Sequence, residues 1–274
     1  MDILMTALYN NVKGNGGGSG SFNSCLYNEL TKEHNVVFDS NPRNRVKDPY
    51  DLIISSHRSK LDIIKNNTSK KLHICHGIVP SEEQPIKGAD HYISISPEVS
   101  NNLRNKGFES LVVPQPVTIP ELTDFKEINK SCQNILIIRN SATRGGEFDF
   151  LRNHYNVLTS NINIPISEQI EWADLVITLG RGAIESMSYG RNVLVADNRF
   201  YQGKIGDGLL VEDNIETIEY NNFSGRCNKI NFTNEWVLSE ISKYSKDNGG
   251  FMRDYVKKYD VKEVIDTYFT IAGL

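Results

Sequence analysis

The chain has 274 residues, of which 39% are hydrophobic and 23% are charged, the composition of an ordinary folded globular protein. Its net charge of -4 excludes a strongly basic nucleic-acid-binding protein as a class, although a local basic segment is compatible with it. No apolar run approaches the roughly 18 residues that cross a bilayer. The four cysteines form no Cys-x-x-Cys pair, which indicates reduced thiols rather than disulfides or a zinc site. The predicted location is the cytoplasm.

The first half of the chain has the pattern of a doubly wound α/β domain. A short apolar strand at 3–9 leads into a glycine-rich loop, a helix and a second strand at 36–38. Because glycine lets the backbone approach a ligand closely, the loop containing Gly17 and Gly18 is predicted to bind one. Further apolar strands are predicted at 51–56, 72–75, 91–95 and 111–113.

A nicotinamide-dependent Rossmann enzyme is an alternative interpretation of this opening. The dinucleotide fingerprint requires Gly-x-Gly-x-x-Gly and an acidic residue about 20 positions later. Asp39 suits the acidic position. Ser19 or Ser21, however, occupies the third glycine position in either register, so the fingerprint is incomplete.

After a polar segment at 118–131 the α/β pattern starts again, with an apolar strand at 134–138 that ends at Arg139. A helix is predicted near 148–152, and further elements follow to the end of the chain. The sequence therefore predicts two domains, 1–117 and 118–256, with a C-terminal helix at about 257–274 packing back on the first.

The stretch from 177 to 198 contains a strand, a Gly-Arg-Gly turn, a helix and a second strand. Such a turn presents backbone N–H groups and the positive end of a helix, which together favour a diphosphate. Gly180, Arg181 and Gly182 are the predicted diphosphate-binding residues, and Glu185 can accept two hydroxyl hydrogen bonds from a ribose. An ordinary strand–helix–strand unit with glycines for tight packing is the alternative.

Four segments in this order resemble the GT-B glycosyltransferases, in particular the retaining family 4 that uses nucleotide-sugar donors. They are GGGSGS, HICHGIVP, RNSATRGG and GAIESMSYGRNVLVADN. The resemblance covers nearly the whole chain. It implies two Rossmann-like, doubly wound parallel-sheet α/β domains that face each other across a cleft.

The resemblance also implies roles for individual residues. Arg139 and Arg144 would hold the donor diphosphate, and His76 would contact the donor sugar. These three are the predicted catalytic residues, and Gly17 and Gly18 would approach the phosphates or the acceptor. No Asp-x-Asp ends a strand, so the chemistry is predicted to need neither a metal ion nor a resident cofactor, with the nucleotide sugar as co-substrate.

One departure from the family keeps a non-catalytic alternative open. The family has two glutamates eight residues apart, and the position eight before Glu185 is Ile177. A nucleotide-sugar-binding protein without turnover is therefore the second hypothesis.

The acceptor is predicted from a basic segment in the first half. Residues 42–71 contain eight basic and three acidic residues, a net charge of +5. Such a segment can meet DNA or an anionic lipid surface, although a solvated face is the ordinary alternative. The small size and many asparagines are also similar to phage-encoded glycosyltransferases that modify hydroxymethylated DNA bases, which would place the protein in a host cytoplasm. A lipid or glycan hydroxyl is the other acceptor hypothesis.

Overall fold

The computed structural model describes residues 1–8, 17–121, 126–139, 145–200 and 202–274. The chain forms two compact units, unit 1 with residues 1–117 and 258–274, and unit 2 with residues 118–257. Among the described helices, none combines the length and the apolar character that a bilayer crossing requires.

Unit 1 contains a six-stranded sheet in which every pair of neighbouring strands is parallel. The strands lie in the order β2-β1-β3-β4-β5-β6. Apolar residues on both faces of the central strands explain their near-continuous hydrophobic sequences, as expected for a sheet covered on both sides. The strands are β1 (Asp2–Thr6), β2 (Asn35–Phe38), β3 (Leu52–Ser55), β4 (Lys70–Cys75), β5 (His91–Ser94) and β6 (Leu111–Val112).

Helices cover the two faces of this sheet. Phe22 and Leu26 of α1 (Gly17–Leu30) share one core with the C-terminal helix of the chain (Val261–Ala272). Leu61 of α2 (Arg58–Ile64) packs on the opposite face. In α3 (Pro97–Asn105), the Ser96 side chain accepts a hydrogen bond from the helix, as its sequence pattern indicates for an N-cap.

Unit 2 also has a six-stranded sheet, in the order β12-β11-β10-β9-β7-β8. Four strands are parallel, but β11 pairs antiparallel with both β10 and β12, unlike the all-parallel expectation. Only seven residues (198–204) join β10 to β11, too few for a parallel crossover. The strands are β7 (Asn134–Ile137), β8 (Asn156–Thr159), β9 (Leu175–Thr178), β10 (Asn192–Asp197), β11 (Ile205–Leu209) and β12 (Ile230–Asn231).

The helices of unit 2 are mostly short. The helix predicted near 148–152 is a 3-10 helix at Asp149–Asn153. The α-helices are α4 (Ile166–Trp172), α5 (Arg181–Ser188), α6 (Ile215–Glu219), α7 (Asn234–Ile241) and α8 (Asn248–Tyr255), and the C-terminal helix of unit 1 is α9 (Val261–Ala272).

A buried carboxylate fixes the entry into unit 2. Asp174, which is 2% exposed, accepts backbone hydrogen bonds from Asn129, Gln133 and Asn134 and one from the Asn129 amide. The polar segment at 118–131 is therefore held to unit 2 by hydrogen bonds from residue 129 onward.

Both sheets reverse their direction of growth at the same place. The chain goes from β1 outward to β2 and then returns to β3 on the other side, and it goes from β7 to β8 and returns to β9 in the same way. Ligands of doubly wound sheets bind at the carboxyl ends of the strands that flank such a switch point. Each unit therefore offers one such place, at β1/β3 in unit 1 and at β7/β9 in unit 2.

Candidate functional site

Arg139 lies at the switch point of unit 2, two residues beyond the end of β7. Its backbone N–H donates to Ser160 Oγ, 3.0 Å away, which joins it to the end of β8. Its side-chain Nε is buried and has no hydrogen-bond partner among the described residues. A buried, unsatisfied guanidinium nitrogen is costly, so this group is suited to an anionic ligand.

Gly180 is the equivalent residue after β9 and forms the N-cap of α5. Its φ of 57° and ψ of -129° lie in a region that is essentially restricted to glycine. Its N–H donates to the carbonyl oxygen of Phe223 at 2.8 Å and is therefore used within unit 2. The ligand-binding potential of this turn consequently belongs to the first turn of α5 rather than to the Gly180 N–H.

Gly182 lets α5 begin directly against the sheet. A Cβ atom at this position would lie 2.3 Å from Thr178 Oγ1 on β9 and 3.6 Å from Ile138 Cδ1 beyond β7. The helix N-terminus is thus held against the ends of both strands that flank the switch point. The structure therefore brings Ile138, the residue before Arg139, next to the start of α5.

Arg181 and Glu185 form an ion pair along one face of α5. Arg181 Nε donates to Glu185 Oε1 at 2.7 Å, and the Arg181 side chain is only 7% exposed. The Glu185 side chain is 22% exposed. The pair holds this carboxylate in place while Oε2 keeps lone pairs for hydroxyl donors.

Two of the predicted donor-binding glycines are placed differently. Gly17 and Gly18 form the first turn of α1 after β1, rather than a loop. A Cβ on Gly17 would meet no described atom within 4 Å, so nothing in the described part of the chain crowds this position. Arg144 falls outside the described residues, and its predicted role stays a prediction.

His76 lies directly after β4 in unit 1, where its ring is largely buried. The ring packs edge-on against Phe22 of α1, with the centroids 4.6 Å apart. The imidazole of His57 is a second neighbour, with its ring centroid 6.1 Å from that of His76. Two histidines and one phenylalanine therefore meet at the carboxyl edge of this sheet.

His57 was not predicted from the sequence, although it follows an apolar strand just as His76 does. It stands two residues beyond β3, is 4% exposed and forms the N-cap of α2. Its Nδ1 accepts the backbone N–H of Leu8, two residues beyond β1, at 3.1 Å. Burial lowers the His57 pKa to about 4, with an opposing effect of Glu82, so the ring is neutral at pH 7.

Other polar groups line the same edge from inside the sheet. Ser55 Oγ and His73 Nδ1 are 2.8 Å apart, and burial lowers the His73 pKa to about 4. The Ser56 hydroxyl donates to the side-chain oxygen of Asn23 on α1 at 2.7 Å. The Thr6 hydroxyl is buried without a hydrogen-bond partner in the described part of the chain.

The basic segment at 42–71 contributes fewer surface charges than its sequence suggests. Lys71 is buried, and its ammonium group donates to the carbonyl oxygens of Asn67 and Ser69. Arg45 is paired with Asp39 and Asp48. The exposed cations are Arg43, Lys47, Arg58, Lys65 and Lys70, and Lys65 is paired with Asp62.

Asp39, the acidic residue of the nicotinamide alternative, has local partners. Its Oδ1 accepts the backbone N–H of Asn41 at 2.8 Å, and its Oδ2 lies 3.5 Å from Arg45 Nε. Within the described ranges, no group of three His, Cys, Asp or Glu side chains is arranged to hold a metal ion.

Two solved structures resemble this chain over nearly its whole length. One is a DNA-modifying enzyme, beta-glucosyltransferase, whose structure is known with and without its substrate uridine diphosphoglucose. It is 14% identical, with a TM-score of 0.54 and 100% of both chains covered. The other is the glycosyltransferase of kitacinnamycin, 9% identical, with a TM-score of 0.53 and 97% of this chain and 98% of the other covered.

No protein-family model matches the chain, and no curated protein sequence matches it. At these identities the structural likeness shows the fold, which is the predicted GT-B fold with two α/β units.

Proposed function

We propose that the protein is a glycosyltransferase that moves a sugar from a nucleotide-diphosphate sugar to an acceptor hydroxyl. The observation that carries the proposal is the buried Nε of Arg139, which has no hydrogen-bond partner among the described residues and lies at the switch point of unit 2, where α5 also begins. A fixed cation and a helix N-terminus together suit a diphosphate, whose negative charge grows as the glycosidic bond breaks. The GT-B fold supports the same reaction class.

In this proposal different residues of unit 2 bind different parts of the nucleotide-sugar donor. Arg139 binds the diphosphate with its guanidinium, and the first turn of α5 at Arg181 and Gly182 adds backbone donors. Arg144, five residues after Arg139, supplies a second cation. Glu185, oriented by its ion pair with Arg181, accepts hydrogen bonds from the ribose hydroxyls.

Two finer features of the reaction are proposed from the sequence resemblance. The first is that fixed cations, rather than a metal ion, stabilise the leaving diphosphate. Assays with EDTA and with Mg²⁺ test this, and unchanged rates are expected. The second is retention of the anomeric configuration, which an NMR spectrum of the fresh product reads directly.

For the acceptor we propose a DNA hydroxyl, on a hydroxymethylated base. The exposed cations of the basic segment support a polyanionic acceptor, because positive side chains attract the phosphates of a nucleic acid. They lie in the part of unit 1 that contains β3 and α2. One structurally similar protein is described as a DNA-modifying enzyme. Transfer to a hydroxymethylated duplex, but not to its unmodified counterpart or to lipid vesicles, is the expected result.

The donor proposal is tested by ligand-dependent thermal unfolding followed by a turnover assay. The panel contains uridine, guanosine and adenosine diphosphates, their common sugar conjugates and nicotinamide cofactors. A ligand at about 100 times its Kd should stabilise the protein by about 2.7 kcal/mol. One nucleoside diphosphate is expected to do so, and its sugar conjugate is expected to turn over with a hydroxyl acceptor.

The variants Arg139→Ala and Glu185→Ala should weaken nucleotide binding about tenfold to hundredfold, the loss of about 1.5–3 kcal/mol for hydrogen bonds to a charged group. Arg152→Ala is the matched control, because Arg152 is a half-exposed arginine of the same unit outside the switch point. A response to nicotinamide cofactors only, or to no ligand, would overturn the proposal. Binding without turnover would reduce it to a nucleotide-sugar-binding protein.

A further inference from the structure

The hydrogen bond between Leu8 and His57 spans the switch point of unit 1. Leu8 stands two residues beyond β1, and His57 stands two residues beyond β3. These two strands are neighbours in the sheet and are followed by helices on opposite faces. His57 therefore occupies the place where doubly wound sheets bind their ligands.

The same hydrogen bond determines which ring nitrogen carries the proton. A backbone N–H can only donate, so His57 Nδ1 must be the unprotonated acceptor. In a neutral ring the single proton is then on Nε2. His57 is thus an oriented, uncharged N–H donor, and no described residue accepts a hydrogen bond from it.

The surroundings of His57 keep it neutral and in place. The ring is almost fully buried beside His76, which in turn packs on Phe22. The other titratable and charged groups that act on it are Glu82 of the 3-10 helix at Ser81–Glu83, Lys60 of α2 and His73 of β4. Glu82 raises the pKa of His57 and Lys60 lowers it, and the charges of these two side chains sum to zero.

We propose that His57 is an acceptor-binding residue of unit 1, where its Nε2–H donates a hydrogen bond to an uncharged oxygen of the acceptor. The inference rests on the proposed glycosyltransferase function and adds a neutral specificity element to it. The exposed cations would attract the acceptor, and His57 would set its orientation.

Two substitutions separate this role from a merely structural one. His57→Asn keeps an oxygen that can accept the Leu8 N–H but has no donor at the Nε2 position. His57→Gln places an amide nitrogen near that position and weakens the contact with Leu8. If His57 binds the acceptor, Asn is the more damaging change, whereas a purely structural role makes Gln the more damaging one.

The assay measures transfer to a hydroxymethylated duplex from the donor that the nucleotide panel identifies. His57→Asn is expected to raise the acceptor KM about tenfold, the loss of one hydrogen bond, and to leave the donor KM unchanged. The salt dependence of duplex binding should stay the same, because a neutral group releases no counterions. His57→Gln should recover part of the loss. His154→Asn, an exposed histidine of unit 2, is the control.

A second measurement does not depend on activity. In the ¹⁵N-labelled protein, the two-bond correlations of the imidazole are expected to show the Nε2–H tautomer at pH 7, with a shift of the His57 signals when the duplex is added. An Nδ1–H tautomer or a charged ring would overturn the inference.

The outcomes also separate the inference from the function on which it rests. Measurable transfer with an unchanged acceptor KM in His57→Asn would overturn the role of His57 and leave the glycosyltransferase standing. Absence of both nucleotide binding and transfer would overturn the proposed function, and the role of His57 with it.

Discussion

The two switch points of this chain share one topology and differ in chemistry. In unit 1 the residues two positions beyond the flanking strands are Leu8 and His57, which bond to each other. In unit 2 the equivalent residues are Arg139 and Gly180, which bond to Ser160 and Phe223 instead. In unit 1 the two residues bond to each other through a neutral imidazole. In unit 2 the Nε of Arg139 has no hydrogen-bond partner among the described residues.

In our proposal this difference lets one strand order serve two kinds of ligand. The sheet fixes where the strand ends meet, and the side chains at those ends decide the charge that the site accepts. Unit 2 offers a cation and a helix N-terminus, which suit a diphosphate. Unit 1 offers uncharged donors and aromatic rings, which suit a polar but uncharged group.

The largest expected effect that tests this comparison is a loss of unit 1 at acid pH. Burial lowers the pKa of His57 and of His73 to about 4, from the ordinary histidine value of 6.5. Between these values the unfolded chain binds more protons, so stability is present above about pH 6.5 and is lost as the pH falls toward 4. The loss approaches about 3 kcal/mol for each histidine.

Both tryptophans, Trp172 and Trp236, lie in unit 2, so their fluorescence follows that unit alone. On acidification, circular dichroism is expected to change before tryptophan fluorescence does. His73→Asn should reduce by about one the number of protons taken up when unit 1 unfolds at acid pH. Simultaneous changes of both signals would show that acid sensitivity is not confined to unit 1.

The next effect concerns the close approach of α5 to the sheet. Gly182→Ala would place a methyl group 2.3 Å from Thr178 Oγ1, so the helix start must move. We expect a loss of about 2 kcal/mol in the free energy of unfolding, typical of overpacking. Nucleotide binding, measured by calorimetry, should weaken more than tenfold.

The double variant Thr178→Ala/Gly182→Ala removes the clashing oxygen and should restore most of the binding. Gly250→Ala is the control, because a methyl group there meets no described atom within 4 Å. A Gly182→Ala protein that binds nucleotide normally would argue against the first turn of α5 as the diphosphate site.

The smallest effect concerns the surface cations of unit 1. Lys47 is exposed, whereas Lys71 of the same segment is buried and bonded within the unit. Lys47→Ala should weaken duplex binding a fewfold and lower the slope of log affinity against log salt by about 1, as for one lost phosphate contact. Fluorescence anisotropy at several salt concentrations measures both quantities.

Lys243→Ala in unit 2 is the matched control, an exposed lysine paired with Glu240. An equal effect of both substitutions would mean that the duplex responds to overall charge rather than to this surface.

The position of much of the proposed site could be predicted from the sequence because strand ends are easy to recognise. Apolar runs before His76, Arg139 and Gly180 predict strands, and the carboxyl ends of parallel strands share one edge of a sheet. The antiparallel β11 could not be foreseen, since its glycine-rich sequence at Ile205–Leu209 carries little strand signal. His57 was equally visible beside its strand, but only its burial and its contact with Leu8 distinguish it from a surface histidine.

The sequence by itself determined the α/β class and the chemistry available at each strand end, because these depend on local periodicity and on residue type. The tertiary structure decided which polar groups form hydrogen bonds or ion pairs within the protein and which can bind a ligand. It commits Lys71, Arg45 and the Gly180 N–H to internal hydrogen bonds or ion pairs. It also gives His57 its tautomer. Such assignments depend on partners far apart in the chain, and only folding brings those partners together.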